Sequence, residues 1–349
     1  MLDAYLGVNF GNNQLTLGQQ SLWWGPGEAG PFLFSDNAEP FKMVRLNRVT
    51  PLTLPGPFSL LGPMRFDAFL GQIAGPYFIF HSNGTTGSFD GPNLKSGPFL
   101  QGQRFTFKPT ENFEIGLTHL STFGGDGFPL TTRTFLRATF SAGNTLAGLD
   151  DKPGDRRSGF DINYKIPKLR DWLSYYLEEF SEDEVSPLLF PRRSAMHTGV
   201  YLAKVPKFHK MDLRVEGIYT DIPNFGRLEA PGFFYFNGTW RSGFTQDGNI
   251  LGSWIGRDGR GVFATSRLWL SPRNTIQFGY REGVADREFL EGGRYQDESV
   301  QANFALRSYL DVSAMLQYEN WRFPLLAPGL QSNVTSSLQI TYRPHREEH

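Results

Sequence analysis

Ser299-Val300-Gln301-Ala302-Asn303-Phe304-Ala305-Leu306-Arg307 alternates apolar and polar side chains, and the pattern returns twice before the chain ends. In 310–319, Leu310, Val312, Ala314, Leu316 and Tyr318 interleave with Asp311, Ser313, Gln317 and Glu319. In 334–343, Val334, Leu338, Ile340 and Tyr342 interleave with Thr335, Ser337, Gln339 and Arg343. A period of two means β-strands with one apolar and one polar face. Soluble strands average about five to six residues. Runs of roughly nine to eleven, ending on Tyr or Trp, match tilted membrane-spanning strands with interfacial aromatics. The competing reading is a large soluble barrel or propeller, but no repeat of ~40 residues with a blade signature is present.

The composition agrees. Among 349 residues, 39 are Gly and 32 are Phe, where Gly averages ~7% in ordinary chains. No apolar run approaches the ~18 residues of a spanning helix, whereas a barrel strand alternates and looks polar on average. With 34 Lys+Arg against 35 Asp+Glu there is no surplus positive charge for nucleic acid. Cysteine is absent, which removes disulfides, thiolate metal ligands and a thiol nucleophile. Met1-Leu2-Asp3 runs straight into a strand pattern, without the basic and apolar regions of a signal peptide.

Fifteen strands are expected, at 3–10, 13–20, 41–50, 62–73, 99–108, 111–119, 157–166, 171–180, 195–204, 211–220, 261–270, 273–281, 297–306, 310–320 and 333–343. Short connectors (11–12, 51–61, 109–110, 167–170, 206–210, 271–272, 307–309) alternate with generally longer ones (21–40, 74–98, 120–156, 181–194, 221–260, 282–296, 322–332). Outer-membrane barrels require that order, with short periplasmic turns and long outer loops. Parity makes 221–260 a single outer loop despite the strand-like run 233–240. Bacterial barrels usually have even strand numbers, so an odd count predicts further strands before Met1. The expectation is one all-β transmembrane antiparallel barrel domain over 1–349, lacking its signal peptide and N-terminal portion.

Arg65, Asp67, Arg104, Glu114, Asp161, Lys165, Arg214, Glu216 and Arg281 fall on polar faces and should point into the lumen and pair there. Gly25-Pro26-Gly27-Glu28-Ala29-Gly30 fits a dinucleotide pattern, but Pro26 and Pro31 forbid the helix that pattern needs. It reads as a rigid loop after Trp23-Trp24. The six histidines show no metal-ligand spacing, and the predicted site has no metal and no cofactor. His119 with Ser121, or His197 with Ser194, could serve a serine hydrolase. Glu178-Glu179-Phe180-Ser181-Glu182-Asp183-Glu184 reads as an exposed loop rim, with a divalent cation as the alternative.

The outer loops combine rings with charges at Trp23, Trp24, Phe123, Asp126, Trp240, Arg241, Trp254, Arg257, Asp258, Arg260 and Tyr295. Sugars present hydroxyls at their edges and C–H groups on their faces, so aromatic platforms flanked by Arg and Asp suit them. An interfacial aromatic girdle is the alternative.

Leu17-Gly18-Gln19-Gln20-Ser21-Leu22-Trp23-Trp24-Gly25-Pro26-Gly27, followed by Leu33-Phe34-Ser35-Asp36-Asn37-Ala38-Glu39-Pro40, resembles the signature of the Wzi-type capsule-assembly outer-membrane proteins. Arg104 with Pro109, Glu114–Leu117, Gly124–Gly127, Tyr176 with Glu178, Glu182–Glu184, Arg214–Glu216 and Leu251–Asp258 add matches in order along nearly the whole chain. Glu39 stands where the family tends to have Arg. The resemblance implies a barrel of about eighteen strands, with missing N-terminal material comprising a helical plug and the first strands. It also implies a lectin that holds capsular or extracellular polysaccharide, without catalysis. The expected carbohydrate contacts are Trp23, Trp24, Asp36, Asn37, Asp126, Trp240, Arg241, Trp254, Arg257 and Asp258. The expected partners are polysaccharide and outer-membrane lipid, for a monomer in the outer membrane that binds no nucleic acid. A passive oligosaccharide porin and an outer-membrane lipid hydrolase are the alternatives.

Overall fold

The computed structural model describes residues 3–75, 79–81, 84–86, 97–125, 128–140, 154–169, 172–182, 187–189, 193–221, 233–289 and 291–343. Its long strands are β1 (Ala4–Phe10), β2 (Asn13–Gln20), β3 (Phe41–Arg48), β4 (Pro63–Gln72), β5 (Phe99–Thr110), β6 (Phe113–Phe123), β7 (Asp155–Lys165) and β8 (Leu173–Glu182). They continue with β9 (Ser194–Leu202), β10 (Leu213–Tyr219), β11 (Gly259–Ser271), β12 (Asn274–Ala285), β13 (Gly293–Arg307), β14 (Leu310–Arg322) and β15 (Gln331–Tyr342). Each falls on a stretch that alternation marks, although β11 to β14 run several residues further at their long-loop ends. The strands hydrogen-bond in chain order to form one antiparallel sheet. That is the meander of an up-and-down barrel. The short strand Leu52–Thr53 also pairs with β4.

Register puts like faces in rows. Phe278 faces Val300, and Val300 faces Leu316. These side chains are exposed (45%, 43% and 56%), as are Val334, Leu338 and Ile340 on β15. In β2, Leu15 and Leu17 are exposed while Thr16 is buried. The apolar side chains thus point outward, and the polar face is covered in β2, whereas β1 and β15 are exposed on nearly every residue. This arrangement is costly in water and is what lipid demands.

The connectors keep the alternation expected of them. Gly11-Asn12 closes the first hairpin with Gly11 at φ +55°, a conformation costly for other residues. Within 233–258 the described backbone is turns plus the two-residue hairpin of Thr245–Gln246 and Asn249–Ile250, with no spanning strand. A helix, α1 (Thr132–Phe140), lies between β6 and β7.

The chain forms two compact units. The first comprises 1–164, 176–197 and 220–258; the second comprises 165–175, 198–219 and 259–349. In the second unit, Arg281 bonds Asp297 (2.6 Å), and Arg214 lies 3.5 Å from Glu216. In the first, Asp67 pairs with Arg45 (2.6 Å) while Arg65 is exposed, and Arg104 holds Asp161 through two bonds of 2.7 and 3.0 Å. Glu114 and Lys165 are exposed.

Candidate functional site

The first unit's core is built by loops rather than by strands alone. Phe32, Leu33 and Phe34 of loop 21–40 and Phe234, Tyr235, Trp240 and Phe244 of loop 233–258 are buried. Phe34 meets Trp24 at 5.2 Å, Phe69 of β4 at 5.4 Å and Phe244 at 5.4 Å between ring centroids. Tyr235 stacks on Phe180 of β8 at 5.2 Å. Each such ring contributes about 1.5–3 kcal/mol by leaving water. Edge-to-face and offset pairs add to that.

Polar bonds fix the register of these rings. The Trp24 indole N–H donates to Asp67 (3.0 Å), and the Phe32 N–H donates to Glu178 (2.9 Å). The Tyr235 N–H donates to Glu182 (2.6 Å), which also accepts from buried Arg157 (3.1 Å). Arg157 lies 2.5 Å from Asp155 and stacks over Phe244 at 4.9 Å. The Tyr235 hydroxyl donates to the Phe32 carbonyl (2.8 Å) and accepts from the Ser253 N–H (3.2 Å). Burial holds the Tyr235 hydroxyl well above the usual tyrosine range, so it keeps its proton and remains a donor. The Ser35 hydroxyl donates to the Gly252 carbonyl (2.6 Å), and its N–H donates to the Leu251 carbonyl (2.9 Å).

This packing explains the Trp-Trp-Gly-Pro-Gly stretch. A Cβ at Gly27 would stand 2.0 Å from the His197 ring, and one at Gly252 would stand 1.9 Å from the Phe32 carbonyl oxygen. Only glycine lets the backbone approach so closely.

Glu178 and Glu182 correct the expectation of an exposed acidic rim. They are 3% and 1% exposed, because alternation turns them to the covered face of β8 where loop N–H groups and Arg157 meet them. Asp183 and Glu184 lie outside the described residues. His197 is equally enclosed, 3.6 Å from Glu178 and beside Phe32 and Tyr176. The Ser194 hydroxyl donates to the Pro187 carbonyl (3.4 Å).

The expected carbohydrate contacts divide by burial. Trp24 (3% exposed), Trp240 (2%) and Asp258 (4%) are enclosed. Trp240 stacks on Phe128 at 5.0 Å and donates to the Gly124 carbonyl (2.9 Å). Trp23 is 43% exposed, and Asp36, Asn37 and Arg241 are also exposed. Trp254 and Arg257 are half-buried; the Arg257 guanidinium sits 4.8 Å over the Phe236 ring, and burial lowers its pKa. The Asn37 side-chain amide donates to the Ile250 carbonyl (2.9 Å), which joins Asp36-Asn37 to the exposed hairpin tip Asp247–Asn249. Asp126 lies outside the described residues. Sequence reasoning missed that hairpin tip; Asp247-Gly248, a turn signal between polar residues, was the available cue.

A continuous antiparallel meander with apolar side chains outward, its short turns alternating with long connectors, defines an outer-membrane β-barrel. The profile of the family described as "Capsule assembly protein Wzi" matches residues 1–336, and the chain belongs to that family. A Klebsiella pneumoniae relative, an uncharacterized 55.8 kDa protein in the cps region, is 29% identical over 185 residues. The match covers 52% of this chain and about a third (33%) of that relative. Among solved structures, Escherichia coli Wzi superposes with a TM-score of 0.74 at 20% identity, covering 97% of this chain and 69% of its own. It is described as a carbohydrate-binding β-barrel involved in group 1 capsule assembly. Pseudomonas aeruginosa OprD, an outer-membrane protein, superposes with a TM-score of 0.50 at 10% identity, covering 97% of this chain and 77% of its own.

Proposed function

We propose that this chain is one outer-membrane barrel domain over 1–349 that binds capsular or extracellular polysaccharide on its outer loops. In this reading it acts as a monomer surrounded by lipid and catalyses no reaction. The observation that carries the reading is the lock between loops 21–40 and 233–258. Over that buried aromatic core the two loops leave Trp23, Asp36, Asn37 and Arg241 exposed, with the Asn37 amide tied to the Ile250 carbonyl (2.9 Å). A preordered rim loses little entropy when a flexible polymer lands on it. Repeated weak contacts along the polymer then add through avidity. Trp24 and Trp240 serve as framework, while Trp254 and Arg257 flank the rim.

The test is the ratio of cell-associated to shed polysaccharide at matched barrel abundance. Trp23→Ala, Asn37→Ala, Trp254→Ala and Arg257→Ala should each release polymer with unchanged heat-modifiable gel mobility. Each contact is worth about 1 kcal/mol, roughly a five-fold loss per site. Normal retention in all four variants, with shedding in the covered-face variant Asp161→Asn, would move the site off the loops.

A further inference from the structure

The second unit carries a cleft of about 500 Å³ lined by residues of β13 to β15 and by Arg273, at the short-turn end of those strands. Three charges from separate elements meet at its rim. Arg273, in the turn between β11 and β12, donates to one oxygen of Asp311 at 2.8 Å. Arg343, following β15, lies 2.6 Å from the other oxygen. Two guanidinium groups against one carboxylate leave a net charge of about +1. Both arginines also keep outward N–H donors, since their side chains are 50% and 62% exposed.

The cleft's wall combines amide and hydroxyl side chains (Gln301, Asn303, Ser313, Gln339, Thr341) with the apolar Phe304, Ala305 and Val312. Ser313 donates to Asn303 (2.7 Å), Asn303 donates to Thr275 (3.4 Å), and Gln339 donates to Thr341 (3.5 Å). A volume of 500 Å³ lies in the ordinary range for small-ligand sites. Guanidinium forks match planar carboxylates, and amide and hydroxyl side chains match ring hydroxyls. A neutral sugar would leave the arginines unused, and a bare anion would leave the amide wall unused.

We propose that this cleft is a second saccharide site, selective for a sugar that carries a carboxylate. It shares no residue with the proposed outer-loop site and does not depend on it.

The experiment is calorimetric titration of the full chain in detergent with tetragalacturonate, maltotetraose and inorganic phosphate. Tetragalacturonate should bind, maltotetraose should bind at least tenfold more weakly, and equimolar phosphate should not displace the uronate. Arg273→Gln and Arg343→Gln should each weaken uronate binding roughly tenfold, as loss of a charge-assisted hydrogen bond does. Asp311→Asn should strengthen it several-fold, because both guanidinium groups become available. These exposed pairs contribute little to stability. Unchanged heat-modifiable mobility checks that each variant is folded. Uronate affinity unchanged in both arginine variants would overturn the proposal, as would displacement by equimolar phosphate. Binding lost only in Asn37→Ala would also overturn it, while leaving the outer-loop reading intact.

Discussion

Tyr235→Phe tests whether loops 21–40 and 233–258 open as one body. The substitution keeps the ring, which stacks on Phe180 at 5.2 Å and on Phe244 at 6.3 Å, and deletes only the hydroxyl. Two partners lose their bond: the Phe32 carbonyl at 2.8 Å and the Ser253 N–H at 3.2 Å. Both residues are fully buried, so water does not replace the hydroxyl. A buried polar group left unsatisfied costs about 1–3 kcal/mol, which sums over the two partners to about 2–6 kcal/mol. At ~3 kcal/mol the open form of the loops becomes roughly 150-fold more populated. Native-state hydrogen exchange reads this directly. The Trp24 and Ser35 amides, which donate to Phe34 and Leu251, should lose protection together with Ser253, while β13 to β15 exchange as before. If only the Ser253 amide speeds up and Ser35 stays protected, the loops open independently and the reasoning fails.

Trp24→Ala should lower unfolding stability by about 3–5 kcal/mol in a denaturant titration, the usual cost of emptying a buried aromatic site. Trp23→Ala, its exposed neighbour, should change stability by less than ~0.5 kcal/mol in the same titration. The chain has no native Cys, so single-cysteine labelling can read topology. Asn249→Cys should react with an impermeant maleimide on intact cells and Pro272→Cys should not; the reverse pattern would invert the strand map. Leu338→Arg places a charge on the lipid face of β15, where it should cost about 2–4 kcal/mol in folding into phospholipid bilayers. Gln339→Arg, on the polar face, should cost much less in the same folding assay.

Period-two alternation in 299–307, 310–319 and 334–343 was enough to define the strands, because alternation is a local property of extended backbone. Loop order followed from the same map, since only one assignment puts the two-residue turns at a common end. What the loops do was legible only in three dimensions. Trp23 and Trp24 are adjacent and chemically identical in sequence. One is exposed and the other is buried, because Asp67, forty-three residues on, accepts only the second indole. Glu178 and Glu182 look like a solvated acidic run until β8 presents them to N–H groups of distant loops. Phe32 reaches Glu178 across 146 residues, and Ser35 reaches Gly252 across 217. No local pattern encodes such contacts: strand pairing brings these segments together, and side-chain shape and unmet hydrogen bonds then decide which loop residues are covered and which face outward.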